Sequence, residues 1–386
     1  MFSVLWPIVA LIAAGAQAAP GKLVEGVTCP SDPTQTYSIY LPSSYTTTRR
    51  WPLLIVFDPG GRGPRAADVF RTAAERYGWI VAASETSRNG PWEPTLRAVN
   101  AMWPALLGGY AVDDKRVYTA GHSGGATVAW MIARQTGKVA GVITSGQPDP
   151  GAEEGKDTGF AWFGTAGHAD FNFIEVKGID ARLGRSHAPH RMEFFDGGHQ
   201  WLPAELTVRA LGWLELLAMK DGRRPRDGAL AAEIFAGDMA RAHGAEENGR
   251  LTEAWRSYDA LIASYSGLLD VGEAESRRKT IESDPRYKTM RKVEERADSR
   301  ERTETNTVAR MFRTLPVEDL PPLQELRRQL HVDSLAKAAR GDSYDAASAR
   351  RSLTLIRVQL STLIRELQEK GDTRTAILQR LLDSIQ

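Results

Sequence analysis

The chain has 386 residues, 42% of them hydrophobic and 25% charged, so it is long enough for two domains and has the composition of a folded protein. Its formal net charge of +1 gives no electrostatic basis for binding nucleic acid or an acidic membrane surface. The single cysteine, Cys29, excludes an intramolecular disulfide and has no metal-type Cys/His spacing around it, so we expect a surface thiol and no metal site.

The N-terminal segment is typical of an export signal. Val4–Ala14 is an apolar run too short to cross a membrane comfortably, and Ala16–Ala18 is a small-x-small cleavage site. We therefore predict that residues 1–18 are a signal peptide and that the mature protein is secreted or periplasmic, with no stable membrane insertion after cleavage. No Lys or Arg precedes the apolar run, which leaves an uncleaved N-terminal anchor as the alternative.

The next part of the chain alternates short β-prone runs with helix-prone stretches. This alternation predicts a mainly parallel sheet with flanking helices, in which ligands bind beyond the carboxyl ends of the strands. Pro104 is expected to bend or end the helix that contains it. The predicted strands are 37–42, 52–57, 79–83, 115–120, 139–144, 160–164 and 191–195, and the predicted helices are 66–77, 95–107, 126–137 and 203–219.

Residues 121–125 read G-x-S-x-G between a predicted strand and a predicted helix. A serine in such a turn occupies a strained backbone conformation, and glycines at both flanks relieve the crowding so that Ser123 Oγ projects above the sheet edge. The helix that follows directs its N-terminal amides at the same place, which favours developing negative charge. Ser123 is therefore the predicted nucleophile, and a passive serine in a glycine-rich turn is the alternative.

A nucleophilic serine needs a base and a group that orients the base. Among the seven histidines, His199 is the best candidate base, because it lies in a glycine-containing loop after the last predicted strand. Asp170 is the predicted acid, because it follows the strand 160–164 and the chain order is then Ser, Asp, His. Asp149 is the second choice, and a helix cap or an Asx turn is the ordinary role of such an aspartate. The weaker candidates are His122, His168, His187, His190 and Asp196.

Residues 35–220 resemble the α/β-hydrolase family, and more narrowly the secreted serine esterases of the feruloyl-esterase and polyhydroxybutyrate-depolymerase type. The resemblance rests on the G-x-S-x-G motif in its context and on the Gly-Gly-His-x-Trp pattern at 197–201, which those esterases carry at the catalytic histidine. It implies that Ser123 attacks an ester, that His199 moves the proton and that Asp170 orients the imidazole, with no cofactor.

The oxyanion of such a reaction needs hydrogen-bond donors, and the amide of Gly124, the residue after the nucleophile, is the first. The second is expected from the loop after the second predicted strand. The family often has His-Gly-Gly there, whereas this chain has Asp58–Gly61, whose proline lacks an amide hydrogen. The candidates that remain are the amides of Gly61, Arg62 and Gly60, of which alignment of the strand end favours Gly60.

The C-terminal third has a different pattern. Residues 221–228 are polar with Gly and Pro and are predicted to link an α/β-hydrolase domain at 19–220 to a helical domain at 229–386. Gly249–Leu261 resembles one half of a tetratricopeptide repeat and Gly341–Ala347 is a weaker match, but their separation is not a multiple of the period of about 34 residues. We expect an all-α helical-hairpin domain with a groove for a protein or peptide partner.

Three functions are consistent with these features. The first is an exported serine hydrolase, a carboxylic ester hydrolase that acts on a small-molecule or polymer-derived ester. The second is a non-catalytic binding protein with a vestigial hydrolase fold, against which the intact Ser, Asp and His candidates argue. The third is a serine peptidase or thioesterase on the same fold, which the sequence does not distinguish from an esterase, since pocket shape decides the substrate.

Overall fold

The structure, a computed structural model, describes residues 18–148, 150, 157–186, 188–316, 319–371 and 375–385. The strands are β1 (Leu23–Cys29), β2 (Asp32–Tyr40), β3 (Trp51–Phe57), β4 (Ile80–Ser84), β5 (Val112–His122), β6 (Gly141–Ser145), β7 (Ala161–Gly167) and β8 (His190–Phe195). The helices among them are α1 (Gly63–Tyr77), α2 (Trp92–Gly109), α3 (Gly124–Thr136), α4 (Phe173–Leu183) and α5 (Ala204–Lys220). The later helices are α6 (Gly228–Glu247), α7 (Leu251–Tyr265), α8 (Gly272–Ser283), α9 (Pro285–Thr314), α10 (Leu323–Gln329), α11 (Val332–Ala338), α12 (Tyr344–Glu369) and α13 (Thr375–Asp383).

The eight strands form one sheet in the order β1-β2-β4-β3-β5-β6-β7-β8. β2 pairs antiparallel with β1 and with β4, whereas the neighbours from β4 to β8 are parallel. The chain moves outward in one direction from β3 to β4 and in the other from β5 to β8, so the topological switch point lies between β3 and β5. Ligands of open α/β sheets bind at such a point. The arrangement is that of an α/β-hydrolase and confirms the predicted fold class.

Both faces of the sheet are covered, and β3 shows how. All its residues are buried, as expected of a central parallel strand. Leu53, Ile55 and Phe57 pack towards α2, α3 and α4, while Leu54 and Val56 pack towards α1 and α5. This period of two fixes the register of β3 and therefore the height at which its following loop leaves the sheet.

The sequence analysis missed β1, and its prediction for Cys29 was wrong. β1 is a half-exposed edge strand with an irregular register and Gly26 at φ 65°, so it lacks a clear alternation. Cys29 ends this strand and is fully buried rather than at the surface. Burial, aided by the negative charge of Asp32, raises the pKa of its thiol to about 11. The thiol is a core group.

Pro104 does not end its helix, because α2 continues to Gly109. A proline removes one helical hydrogen bond, but buried side chains before and after it, such as Ala101 and Leu106, keep both parts of the helix on the sheet.

Of the predicted signal peptide, only Ala18 lies within the described residues, where it is buried against the core. Residues 1–17 are outside them, so export stays a prediction.

Within the described residues, no helix is both long enough and apolar enough to cross a bilayer.

The described residues from Gly228 onward are helical, without strands. They form two apolar clusters, one around α6, α7 and α8 and another around α10 to α13. The repeat-like segment is α7, in which Ala254 and Tyr258 are fully buried, and Gly249 precedes it at φ 70°. The helical C-terminal region of the predicted fold class is thus present, while its likeness to tetratricopeptide repeats stays a prediction.

The close approach of α3 to β3 gives a test of the fold. A Cβ added to Gly125 would overlap the carbonyl oxygen of Phe57 and lie 3.2 Å from the amide nitrogen of Asp58. We expect Gly125→Ala to lower the free energy of unfolding by about 1–3 kcal/mol, measured by urea denaturation.

Gly108→Ala is the matched control, because Gly108 is exposed near the end of α2 and a Cβ there meets no atom within 4 Å. Alanine should stabilise that helix by about 1 kcal/mol at most. Equal unfolding midpoints for the two variants would contradict the packing of α3 on β3.

Candidate active site

Ser123 lies between the last residue of β5 and the first of α3 with φ 53° and ψ −125°. Among the described residues, the only other non-glycine at positive φ is His331. A conformation of this kind costs about 1–3 kcal/mol and persists only where neighbours enforce it. The amide of Ser123 donates to the carbonyl of Ser145 (2.9 Å), and the carbonyl of Ser123 accepts from the amide of Ala126 (2.9 Å). The strained turn that the motif predicts is therefore present and anchored on both sides.

His199 and Asp170 are hydrogen-bonded, with 2.9 Å between Nδ1 and Oδ1. The side chain of Asp170 is fully buried, whereas that of His199 is 20% exposed. The amide of Asn172 also donates to Asp170 Oδ1 (2.8 Å), and Asn172 Nδ2 donates to the carbonyl of Gly146 (2.9 Å). With the ring hydrogen on Nδ1, where it faces the carboxylate, Nε2 is left as the basic nitrogen.

Ser145, at the end of β6, connects the serine turn to the histidine loop. Its carbonyl accepts the amide of Ser123, and its Oγ donates to the carbonyl of Gln200 at 3.0 Å. Ser123 and His199 thus lie at the same edge of the sheet, although no hydrogen bond joins their side chains. Such bonds are often long before substrate binds.

Gly146 leaves the space that this arrangement needs. A Cβ at this position would lie 2.5 Å from Asp170 Oδ2 and 2.9 Å from His199 Nδ1. A residue with a side chain at position 146 would therefore displace Asp170 and His199. Asp170 and His199 are therefore brought together by β6, β7 and the loop after β8, at the sheet edge where the turn of Ser123 also lies.

His122 supports the ring of His199 from the buried side. The centroids of the two rings are 4.7 Å apart, and that of Trp201 is 5.6 Å from His122. His122 is only 6% exposed, and its two ring nitrogens have no hydrogen-bond partner among the described residues. Burial, reinforced by the nearby His199, lowers the pKa of His122 to about 4, so its ring is neutral at pH 7. A neutral ring here puts no positive charge beside His199.

Asp58 stands where the resembling esterases often have histidine, and it organises the loop after β3. Its buried carboxylate accepts from Arg62 Nε (2.8 Å) and from Trp201 Nε1 (3.0 Å). Burial alone would raise the pKa of Asp58, but the hydrogen bonds from Arg62, Trp201 and Gly60 outweigh it and the pKa is lowered. The loop after β3 is thereby tied to the loop that carries His199.

The carboxylate and the backbone carbonyl of Asp58 accept hydrogen bonds from the amides that the sequence predicts as the second oxyanion donor. The amide of Gly60 donates to Asp58 Oδ1 at 2.8 Å, and the amide of Gly61 donates to the carbonyl of Asp58 at 3.1 Å. The amide of Arg62 also points to Asp58 Oδ1, at 3.4 Å. In this conformation, then, Gly60 is engaged inside its own loop.

Asn89, on the loop after β4, lies directly at the start of α3. Its amide donates to the carbonyl of Pro59 (2.8 Å), and a Cβ added to Gly124 would overlap its Oδ1 and lie 3.1 Å from its Nδ2. The side-chain amide of Asn89 therefore occupies the space that a side chain on the residue after Ser123 would fill. Gly124 itself is the first residue of α3, where the amide has no carbonyl of its own helix to bond.

The weaker candidates are placed elsewhere or cannot be placed. His168 pairs with Asp196 at 3.1 Å in an exposed position, and His190 contacts the carbonyl of Ala188. Asp149 and His187 lie outside the described residues. Within the described ranges, no group of His, Cys, Asp and Glu side chains forms a set of metal ligands.

The sequence analysis missed Ser145, Asn172, Phe171 and Asn89. Phe171 follows the predicted acid, and its ring lies 4.3 Å from that of His199. Position was the available signal, since Ser145 directly follows the predicted strand 139–144 and Asn172 stands two residues after Asp170. Nothing in the sequence pattern indicated that the loop after β4 reaches Gly124.

No protein-family model and no curated protein matches the sequence. Among solved structures, a ferulic acid esterase is similar over 47% of this chain and 91% of its own, with 17% identity and a TM-score of 0.41. An esterase of Pyrobaculum calidifontis matches 52% of this chain and 87% of its own, at 13% identity and a TM-score of 0.43. A fluorophosphonate-binding serine hydrolase F of Staphylococcus aureus matches 51% of this chain and 99% of its own, at 14% identity and a TM-score of 0.42. At these identities and scores, the similarity does not extend to activity or substrate.

The burial of His122 predicts a loss of stability in mild acid. Its pKa is lowered to about 4 in the folded chain from an ordinary value of 6.5, so the unfolded chain takes up the proton first as the pH falls. The free energy of unfolding should therefore decrease by about 2 kcal/mol from this group between about pH 7 and about pH 5.

His122→Phe keeps a ring at this position but does not titrate, and its urea-unfolding midpoint should change less than that of the wild type over the same pH interval. Parallel pH dependences of the two proteins would mean that His122 is not buried as a neutral ring.

Proposed function

We propose that the protein is a carboxylic ester hydrolase in which Ser123 is the nucleophile, His199 the base and Asp170 the orienting acid. The observation that carries the proposal is the hydrogen bond between a fully buried Asp170 and a partly exposed His199, at the same sheet edge as the strained turn of Ser123. The strained turn of Ser123 follows β5, which borders the topological switch point, and such folds place their chemistry there.

The proposed reaction has two halves. Ser123 Oγ attacks the ester carbonyl while His199 Nε2 takes its proton, and the tetrahedral oxyanion collapses as His199 gives that proton to the leaving alcohol. Water then attacks the acyl-enzyme with His199 again as base, which releases the acid and restores Ser123. Throughout, Asp170 holds the tautomer of His199 and stabilises the imidazolium.

For the oxyanion we propose the amide of Gly124 and, in place of Gly60, the side-chain amide of Asn89. The support is that Gly60 donates to Asp58, whereas Asn89 adjoins Gly124 without a side chain between them. A half-turn of the Asn89 amide exchanges Oδ1 and Nδ2, so the NH₂ group reaches the position next to Gly124 without any movement of the backbone.

The remaining proposals concern the substrate, the cellular location and a binding partner. The substrate class is a small-molecule or polymer-derived ester, and a secreted or periplasmic location rests on the signal-like residues 1–18. A protein or peptide partner on the helical region rests only on the helical-hairpin pattern.

Labelling with a fluorophosphonate probe tests the nucleophile, because the probe reacts with an activated serine. We expect a single adduct at Ser123 by peptide mapping, and loss of the adduct in Ser123→Ala and His199→Ala. Turnover of p-nitrophenyl butyrate should fall about 10,000-fold or more in these two variants.

Asp196→Ala is the matched control, because it breaks the second, exposed His–Asp pair by removing its fully exposed carboxylate. It should be labelled and should turn over like the wild type. Full turnover by a folded Ser123→Ala would refute the mechanism, and a folded wild type without labelling would favour the non-catalytic binding protein.

Removing the side-chain amide tests the proposed second oxyanion donor. We expect Asn89→Ala to lower kcat by about 100-fold to 1,000-fold with little change in KM, since the bond forms with the oxyanion of the transition state. Steady-state kinetics on p-nitrophenyl butyrate measure both constants.

Asn89→Asp is the companion variant, because it keeps the size of the side chain and replaces its donor by an acceptor. It should be at least as slow as Asn89→Ala. A normal kcat for both variants would mean that the second oxyanion donor comes from the loop after β3. The amide of Gly60 would then have to leave its hydrogen bond with Asp58.

A further inference from the structure

The helical region contacts the segment that carries the proposed catalytic acid. We define the acid loop as residues 168–173, between β7 and the first turn of α4, which holds Asp170. α12 contacts this loop through Arg351, and α9 packs on both α12 and α4. The contacts are polar on one side of Asp170 and aromatic on the other.

Arg351, on α12, makes the polar contact. Its Nη1 donates to the carbonyl of His168 at 2.9 Å, while Nε and Nη2 donate to Glu301 of α9 at 2.7 and 2.6 Å. The side chains of Arg351 and Glu301 are each 2% exposed, and the guanidinium lies 4.1 Å from the centre of the Phe173 ring. A buried, bidentate pair of this kind fixes the guanidinium in one position, so its third contact fixes the acid loop.

A second polar group continues the contact along α4. Lys177 donates to Asp298 of α9 and to the hydroxyl of Tyr344 (3.1 Å), and that hydroxyl donates to Asp298 at 2.7 Å. The first turns of α4 are therefore held by the same two helices that hold the acid loop.

Phe171 makes the aromatic contact and reaches the catalytic base. One side of its ring faces His199, with 4.3 Å between the ring centres. The side chain also packs against the apolar cluster around α10 to α13, as do Met311 and Phe312 of α9. The helical region is thus separated from His199 by a single side chain.

We propose that the helical region is part of the catalytic unit, with Arg351 as a positioning residue that acts through the acid loop on Asp170 and His199. The inference rests on the proposed function above. Displacements of about 1 Å in a catalytic group lower rates by about 100-fold, so a loop held from outside the hydrolase region matters for turnover. The region packs against Phe171, which lies beside His199, and holds the acid loop through Arg351.

Two variants of Arg351 test this role. Arg351→Lys keeps a cation against the buried Glu301 but cannot make the bidentate pair and the contact with His168 together. Arg351→Met removes the charge, and the lysine variant keeps the test decisive if the methionine variant fails to fold. In the full chain, we expect kcat for p-nitrophenyl butyrate to fall about 10-fold to 100-fold with KM nearly unchanged.

Hydrogen–deuterium exchange supplies a readout that does not depend on turnover. In the folded chain, the amides of His168 and Ala169 donate to the carbonyls of Phe195 and Gly197 at 2.9 and 2.8 Å. Exchange in peptides covering 168–173 should become faster in both Arg351 variants, because the loop opens more often.

Asp238→Asn is the matched control. Asp238 of α6 accepts hydrogen bonds from Nη1 and Nη2 of Arg191 on β8 at 2.9 and 3.0 Å, so it forms another buried ion pair between the two regions. Its other hydrogen-bond partners are Arg241 and Tyr265, which are not residues of the acid loop. We expect this variant to lose stability to urea but to retain the wild-type kcat and the wild-type exchange of 168–173.

Faster exchange and lower kcat in the Arg351 variants alone support the proposal. Unchanged exchange in these variants, equally faster exchange in Asp238→Asn, or faster exchange with a wild-type kcat would each overturn it. A wild type without ester turnover would instead refute the proposed function, and the exchange data would still decide whether Arg351 holds the loop.

Discussion

A carboxylate without exposed surface can be kept in a fold only if its surroundings supply hydrogen bonds, and that requirement shapes the region around Asp170. His199 and the amide of Asn172 both donate to one of its oxygens. The absence of a side chain at Gly146 makes room for the other. Each of these groups comes from a different strand end or loop, so the burial of one charge brings β6, β7 and the loop after β8 into a single arrangement.

The predicted strands and their order along the chain were accessible from the sequence, because buried parallel strands leave continuous apolar runs such as 52–57. The turn at Ser123 was accessible for a related reason, since its glycines are needed to avoid backbone collisions. β1 was not predictable from the sequence, because an irregular edge strand with a glycine at positive φ shows little alternation of apolar and polar residues. Cys29 was misjudged for the same reason, as its burial follows from a strand that was not predicted.

The details of the site depend on contacts between distant residues, which a sequence pattern does not contain. Asp58 was recognised as a departure from histidine, but its bonds to Trp201 and to the amide of Gly60 arise only in the folded chain. Asn89 has no motif, and its place beside Gly124 follows from the path of the loop after β4. Arg351 is 183 residues from His168, so no local rule could have paired them.

The buried thiol of Cys29 has a practical consequence for studying the molecule. It is the only thiol in the chain, it has no exposed surface, and its raised pKa keeps it protonated at neutral pH. A reagent that reacts with thiolates can therefore modify it only when the β1–β2 edge opens. The rate at which such a reagent modifies Cys29 therefore reports how often this sheet edge opens in the native protein. The measurement needs no engineered cysteine, and no other thiol competes for the reagent.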